Sequence, residues 1–499
     1  MSRAPVLWTC LSVFGLVAAA TATVACSAVS KVDYAACSDN VTCRDAFGLG
    51  WTCGEAGLCQ EALQHPRCKA VFPETLFDDP ETYGNAIIFG SQLDHTPVTG
   101  DGRMVDAATL AIKEANMSGL DGRLFGIVHC DYREDEKIDK LTSDEAVVET
   151  AKYLVDDLGA VAIIGPGYSS LAESLYLELQ KDTHKTSTLI VSPSATSDSL
   201  TNVDVRDGDK PGLFWRTAPP DSRLGKALAQ QMDADGITYA TVVYVNDSYG
   251  SGLATNVGDN FPGEIDLRGF KGEAAAAADI NTIVAELDSR TPAAGEAVVF
   301  VGAEVAQVVA FLNGAVVYDY FTQDDSVKIY LSDAGFNDAV LEQTQELASE
   351  LYDQVQIAFP SVNTEDLVYK KFKSAYQTEF NDNPDLASYS SHMYDATWLG
   401  VYGTVWAYYR REQRLSGIDL AFGLQQVTAD KTAIPVRSDT FNDIKTEFQA
   451  GRAVNLQGAS GNLDYNPETE ELKDVTPIFY VIVDGSDGYE FMDPTPPME

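Results

Sequence analysis

Gly159-Ala160-Val161-Ala162-Ile163-Ile164-Gly165-Pro166-Gly167-Tyr168-Ser169-Ser170 decides how this chain is read. A short continuous apolar run meets a glycine-rich turn, and two serines follow where a new amphipathic segment begins. The next run, Thr188–Ser192, ends in the same manner, on Pro193-Ser194-Ala195-Thr196-Ser197. Apolar runs of this length, separated by helical patterns, predict parallel strands covered on both faces by helices. The rhythm extends outward in both directions. Upstream, Ala86–Phe89 and Phe125–Cys130 read as strands, and Val105, Ala108, Ile112 and Ala115 share one helical face over Gly102–Asn116. Downstream, it restarts after Arg216-Thr217-Ala218-Pro219-Pro220, with strands over Thr241–Val245, Ile265–Phe270, Ala297–Gly302 and Lys328–Leu331. Two such runs predict two α/β lobes, each a doubly wound parallel sheet. Ligands of such sheets lie beyond the C-terminal ends of the strands.

Two later helical patterns, Thr364–Phe380 and Ser390–Tyr409, and the short strands of Val454–Val483 fit neither run as a simple appendage. A chain that crosses between the lobes more than once accounts for them. The expected division is 84–218 plus 362–436 for the first lobe and 219–361 plus 437–499 for the second.

The 499 residues carry 34 Lys+Arg against 75 Asp+Glu, a formal charge of −41, with 45% hydrophobic residues. That composition supports packed domains and excludes a mostly disordered chain. An acidic surface also excludes nucleic acid as a partner, because a polyphosphate requires a basic one.

Residues 1–25 read as an export signal: Arg3, then the apolar run Val6–Ala20, then Ala25 before Cys26. Thr23-Val24-Ala25-Cys26 is similar to a bacterial lipobox, with Thr where leucine is usual, so ordinary signal cleavage stays open beside lipidation of Cys26. Cysteine arithmetic favours the lipid. Seven cysteines follow the signal, and setting Cys26 aside leaves six to pair: Cys37, Cys43, Cys53, Cys59, Cys68 and Cys130. The first four stand in a C-x5-C-x9-C-x5-C pattern too poor in apolar residues to build a core. Disulfides among those four, with Cys68 and Cys130 pairing near the first lobe, are expected; a zinc knuckle is the rival. Residues 26–69 then form a stapled spacer between a membrane and the main body.

Catalysis has no comparable signal. His65, His95, His129, His184 and His392 are scattered without metal-ligand spacing, and the turn after Ile164 lacks the third glycine of a dinucleotide site and the lysine of a P-loop. Neither enzyme activity, cofactor nor metal is expected. The same turn suits binding, since hydroxyls and free backbone N–H groups at a helix start hold a carboxylate without arginine.

The run Gly159–Ser170 with Ile190–Leu200 resembles the branched-chain amino-acid binding protein family, type I periplasmic binding proteins that serve ABC transporters. Phe214-Trp215-Arg216-Thr217 with Asp221, Asn246–Gly252, Tyr394-Asp395-Ala396 and Gly458–Tyr465 extend the resemblance in unbroken order over roughly 84–486. It implies a two-lobed clamp with three hinge crossings that closes on an amino acid or similar small carboxylate and delivers it to an ABC permease. The protein would sit in the cell envelope, lipid-anchored; a sensor acting through a partner is the other reading. By the resemblance Ser169 binds the ligand carboxylate, Ser194 contributes its backbone, Thr196 bonds the polar head and Tyr249 closes over the ligand. The family's acidic ammonium partner aligns with Ala334, so either Asp333 takes that role one position early or the ligand has no α-ammonium. The closing segment Asn466-Pro467-Glu468-Thr469-Glu470 also departs from the family's Asp-x-x-Gly turn.

Overall fold

The computed structural model describes residues 36–494, apart from 97–100, 182–187, 205–209, 273–275, 324–326, 361, 363, 474 and 487. The expected export signal, Cys26 and His184 lie outside the described residues.

The first sheet contains β1 (Ala70–Phe72), β2 (Ile87–Leu93), β3 (Phe125–Asp131), β4 (Ala162–Ile164), β5 (Leu189–Ser192) and β6 (Phe214–Arg216). Their order is β1-β3-β2-β4-β5-β6, parallel except for the edge strand β1. Every residue of β2 and β3 is buried, as expected when helices cover both faces. The covering helices are α1 (Gly102–Ala115), α2 (Ser143–Lys152) and α3 (Ser169–Leu179). Thr142 and Glu145 close a capping box at the start of α2.

The second sheet contains β7 (Tyr239–Val245), β8 (Glu264–Phe270), β9 (Glu296–Val301), β10 (Val327–Leu331), β11 (Val355–Pro360), β12 (Pro477–Gly485) and β13 (Gly488–Met492). It runs β8-β7-β9-β10-β11-β12-β13, parallel as far as β11 and antiparallel through the last two strands. Helices α4 (Asp221–Ala234), α5 (Ser248–Asn260), α6 (Ala276–Leu287) and α7 (Val305–Ala315) belong to this lobe.

The chain leaves the first sheet after Arg216 and returns after Pro360 to build α8 (Leu367–Phe380) and α9 (Ser390–Arg410), which pack on α1. It crosses a third time before Pro477. Helix α9 is apolar nearly all round and is buried accordingly, with Trp398 and Tyr402 wholly enclosed.

The expected second-lobe boundary at residue 437 is corrected. Helix α10 (Phe441–Gln449) packs on α9, and Leu456–Gln457 pairs with Ile434–Pro435. The Asp395 carboxylate of α9 accepts from the Ala459 and Ser460 amides at 2.9 and 2.7 Å. Residues 437–473 therefore belong with the first lobe, and only the β12–β13 hairpin returns to the second.

The disulfides are Cys37–Cys53, Cys43–Cys59 and Cys68–Cys130. The sulfurs of Cys37, Cys43 and Cys53 lie within 4.8 Å of one another, but each is already bonded to another sulfur, which leaves no thiolate for zinc. The reading of 26–69 as a separate spacer is also corrected: its described part is docked on the first lobe. A π-helical turn, Tyr153–Asp157, extends α2, and such a helix end leaves carbonyls unpaired. Arg44 Nη1 donates to the carbonyls of Asp156 (3.1 Å) and Asp157 (2.7 Å), and Asn40 Nδ2 adds a bond to Asp156 O (2.8 Å). No described helix is long and apolar enough to cross a membrane.

Candidate functional site

The C-terminal ends of β4, β5, β7, β9 and β10 open onto one cavity between the lobes, enclosing about 90 Å³. Since one water occupies roughly 10–15 Å³ on this measure, the space suits a molecule of several heavy atoms and excludes a folded segment.

The first-lobe wall is the turn after β4. Gly165 has φ +109°, and a Cβ there would lie 2.5 Å from the Gln92 carbonyl, so only glycine lets the chain turn here. Ser169 then opens α3, and no side chain caps this helix start, which leaves its N–H groups facing the cavity mouth. The Ser169 hydroxyl accepts from the Ser197 amide (3.1 Å) and keeps its own proton to donate. Ser194 Oγ donates to Gly167 O at 3.2 Å across the two turns.

The second-lobe wall is built on Asp333, directly after β10. Its carboxylate accepts from the hydroxyls of Tyr249 and Tyr389, the latter at 2.6 Å. Burial raises its pKa, and the two tyrosine hydrogen bonds work against that rise. Tyr249 is placed by the Asp247 cap, whose Oδ1 accepts from the Gly250 amide at 2.8 Å. Asp333 and its neighbour Ala334 both line the cavity.

Ser169, Ser194, Tyr249 and Asp333 thus share one cavity. Thr196 does not join them. It is buried behind the wall, where its carbonyl accepts from the Asp221 amide at 2.8 Å and its hydroxyl lies beside the Asp221 carboxylate without a hydrogen bond of ordinary geometry among the described residues. The turn after Ser194 folds toward the first crossing, which carries the threonine away from the cavity.

Sequence reasoning missed three groups. Asp221 is wholly buried beside Thr196 without a hydrogen bond of ordinary geometry to either carboxylate oxygen; burial, then the Asp333 charge, hold its pKa well above the usual range. Asp101 lines the cavity and accepts from Tyr132 OH (2.9 Å) and the Asp94 amide (3.0 Å), with burial pushing its pKa up to about 7. Tyr389 sits at φ +65°, a left-handed conformation with no local sequence signal. Arg103 is the one lysine, arginine or histidine among the lining residues, and its Nε is bonded to Asp382 Oδ2 at 2.8 Å. Asp101, Asp247, Glu304 and Asp333 face it, so the cavity favours a ligand with a positive group.

Two α/β lobes joined by three crossings hold this cavity between them. The receptor family ligand binding region matches residues 103–473, and the chain belongs to that family, which has the type I periplasmic binding fold. No curated protein sequence matches it. Among solved structures it is similar to the branched-chain amino acid transporter substrate binding protein LivJ from Streptococcus pneumoniae in complex with isoleucine. The identity is 16%, covering 82% of this chain and 100% of that one, with a TM-score of 0.59. An ABC transporter substrate-binding protein from Desulfitobacterium hafniense in complex with Leu matches at 18% identity over the same 82% and 100%, TM-score 0.56. A solute binding protein from R. palustris in complex with 4-hydroxybenzoate matches at 12%, covering 82% and 96%, TM-score 0.59.

Proposed function

We propose that the protein is an extracytoplasmic solute-binding lipoprotein, anchored through Cys26, that closes around a free α-amino acid and delivers it to an ABC permease. The observation that carries this is the pairing of opposite chemistries across the cavity. The uncapped start of α3 with Ser169 and Ser194 suits a carboxylate, and Asp333 with Tyr249 suits an ammonium. An open form would take the carboxylate on the first lobe, and hinge closure would then add Asp333, Tyr249 and Tyr389.

The relatives bind both amino acids and benzoates. The acidic lining of the cavity, Asp333 included, favours the first of these classes. A benzoate would bring its negative charge to a cavity lined by Asp101, Asp247, Glu304 and Asp333, whose one lining cation, Arg103, is bonded to Asp382, whereas an α-ammonium would meet attraction there.

A thermal-shift and calorimetry panel of amino acids against benzoates tests the assignment. At least one amino acid should raise Tm, and benzoate should not. A benzoate response without any amino-acid response would sink it. Loss of cellular uptake of the same amino acid on deletion of the protein would separate transport from sensing.

A further inference from the structure

The interlobe cavity is acidic at two places. One is Asp333 with Tyr249 and Tyr389, described above. The other is formed where α1 and α7 begin, one helix from each lobe. Asp101 stands immediately before α1 and Glu304 immediately before α7, positions from which a side chain ordinarily caps a helix, and neither side chain caps. Both residues line the cavity instead. Asp247, the remaining acidic lining residue, does cap its helix, with Oδ1 accepting from the Gly250 amide at 2.8 Å.

Asp101 is held in place with one oxygen to offer. Among the described residues, both hydrogen bonds to its carboxylate, from Tyr132 OH (2.9 Å) and the Asp94 amide (3.0 Å), fall on Oδ2, so Oδ1 remains for a ligand. Gly167 keeps the approach open: a Cβ there would stand 2.9 Å from Ser194 Oγ and 3.7 Å from Asp101 Oδ2. The neighbouring Tyr168 hydroxyl responds to both acids. Burial, then the charges of Asp101 and Glu304, hold its pKa well above the ordinary value, and no cation among the described residues acts against them. Its ring lies 5.8 Å from that of Tyr132, and such faces also attract a cation. Arg103 donates from Nε and Nη2 to Asp382 at 2.8 and 3.4 Å, and Arg133, outside the lining, pairs with Asp131 at 3.1 Å. A second positive group on the ligand would meet attraction here from both lobes, and an anionic one repulsion.

We propose that the ligand is a dibasic amino acid. Its α-ammonium would meet Asp333, and a second cation on its side chain would meet Asp101, with Glu304 added from the second lobe as the cleft closes. The inference rests on the reading of the cleft as an α-amino-acid site and adds to it the residue that selects the side chain.

The test is calorimetry of the full chain with L-lysine and L-ornithine as probes. L-Norleucine, which keeps the lysine stem without its ammonium, is the neutral control, and L-glutamate is the charge-reversed one. Lysine or ornithine should bind about tenfold or more tighter than norleucine, the ratio expected of a hydrogen bond to a charged group, with glutamate weaker still. Asp101→Asn should bring lysine and norleucine within a few-fold of each other, whereas Asp333→Asn should weaken both alike. Where Asp101→Asn does not fold, Glu304→Gln is read in its place. Norleucine or glutamate binding as tightly as lysine and ornithine overturns the inference and leaves the amino-acid reading standing, and so does a lysine preference that Asp101→Asn leaves unmoved. No binding of any amino acid in the wider panel overturns the cleft reading, and this inference with it.

Discussion

Ser169 and Asp333 probe opposite ends of the proposed ligand. A hydrogen bond to a charged group contributes roughly 1.5–3 kcal/mol, so Ser169→Ala should weaken amino-acid binding about 10- to 100-fold with Tm of the free protein unchanged. Asp333→Asn should cost at least as much for an amino acid, and equal affinities before and after would exclude an ammonium contact there. Tyr249→Ala removes a closing contact, so stopped-flow traces should show faster release at a nearly constant association rate. Asp101 supplies a pH signature. Its folded pKa of about 7 lies above the usual carboxylate value, so the folded state binds more protons between about pH 4 and 7. Stability from this group is full below about pH 4 and is lost as pH rises through 7, by something on the order of 2 kcal/mol after allowing for its contact with the cavity. Asp101→Asn should flatten that part of the Tm-against-pH curve, and an unchanged curve would remove Asp101 as its source. Ser169 and Ser194 were legible because each follows a strand end, where chain order predicts the crevice, and Tyr249 through the resemblance to the binding-protein family. Tyr389, Asp101 and Asp221 were not, since contacts between distant segments bring them to the site. Thr196 had the right local setting but lies outside the cavity lining, its carbonyl bonded to the Asp221 amide at the first crossing.

At the scale of elements, the first crossing is held by a buried ion pair. Arg216, at the end of β6, donates from Nε (2.8 Å) and Nη2 (2.6 Å) to Glu471, and from Nη1 to the carbonyls of Ala195 and Ser197 at 2.9 Å each. One guanidinium thus ties β6, the turn after β5 and the segment before the third crossing. Removing one partner of a buried pair strands the other, so Glu471→Leu should destabilise by about 3–5 kcal/mol in chemical denaturation. A loss below about 1 kcal/mol would show that water reaches the pair. Strand positions over 86–331 were readable because a parallel sheet covered on both faces makes each strand a continuous apolar run. The edge strand β1 and the pairing of β12 with β11 were hidden. Ala70–Phe72 is too short for periodicity to speak, and an antiparallel strand added from the far end of the chain carries no mark of its partner. The boundary error at 437 has the same origin. Helix α10 buries Phe441, Ile444 and Phe448, a pattern that says one face is covered and not which lobe covers it.

For the whole molecule, the three disulfides lie within the N-terminal module and its junction with the first sheet; none joins the lobes. Cys68→Ser with Cys130→Ser opens a loop of 62 residues, and such crosslinks contribute roughly 2–4 kcal/mol, so the pair should lower Tm of the first lobe. An amino-acid affinity that falls in parallel would show that the crosslink shapes the cleft as well. The cysteine pattern made the four-cysteine staple legible, while the docking of that module through Arg44 depended on a π-helical helix end that no composition announces. That docking has a mechanical consequence. The module is stitched to the first lobe at Arg44, Asn40 and Cys68, so a pull on the N-terminus would load one sheet only. Force would enter through the bond between Cys68 and Cys130 and spread into β3 and β2 without passing through any crossing. The second lobe would swing as the free jaw of a vice whose other jaw takes the load, and tension applied at the N-terminus would do no work on its motion.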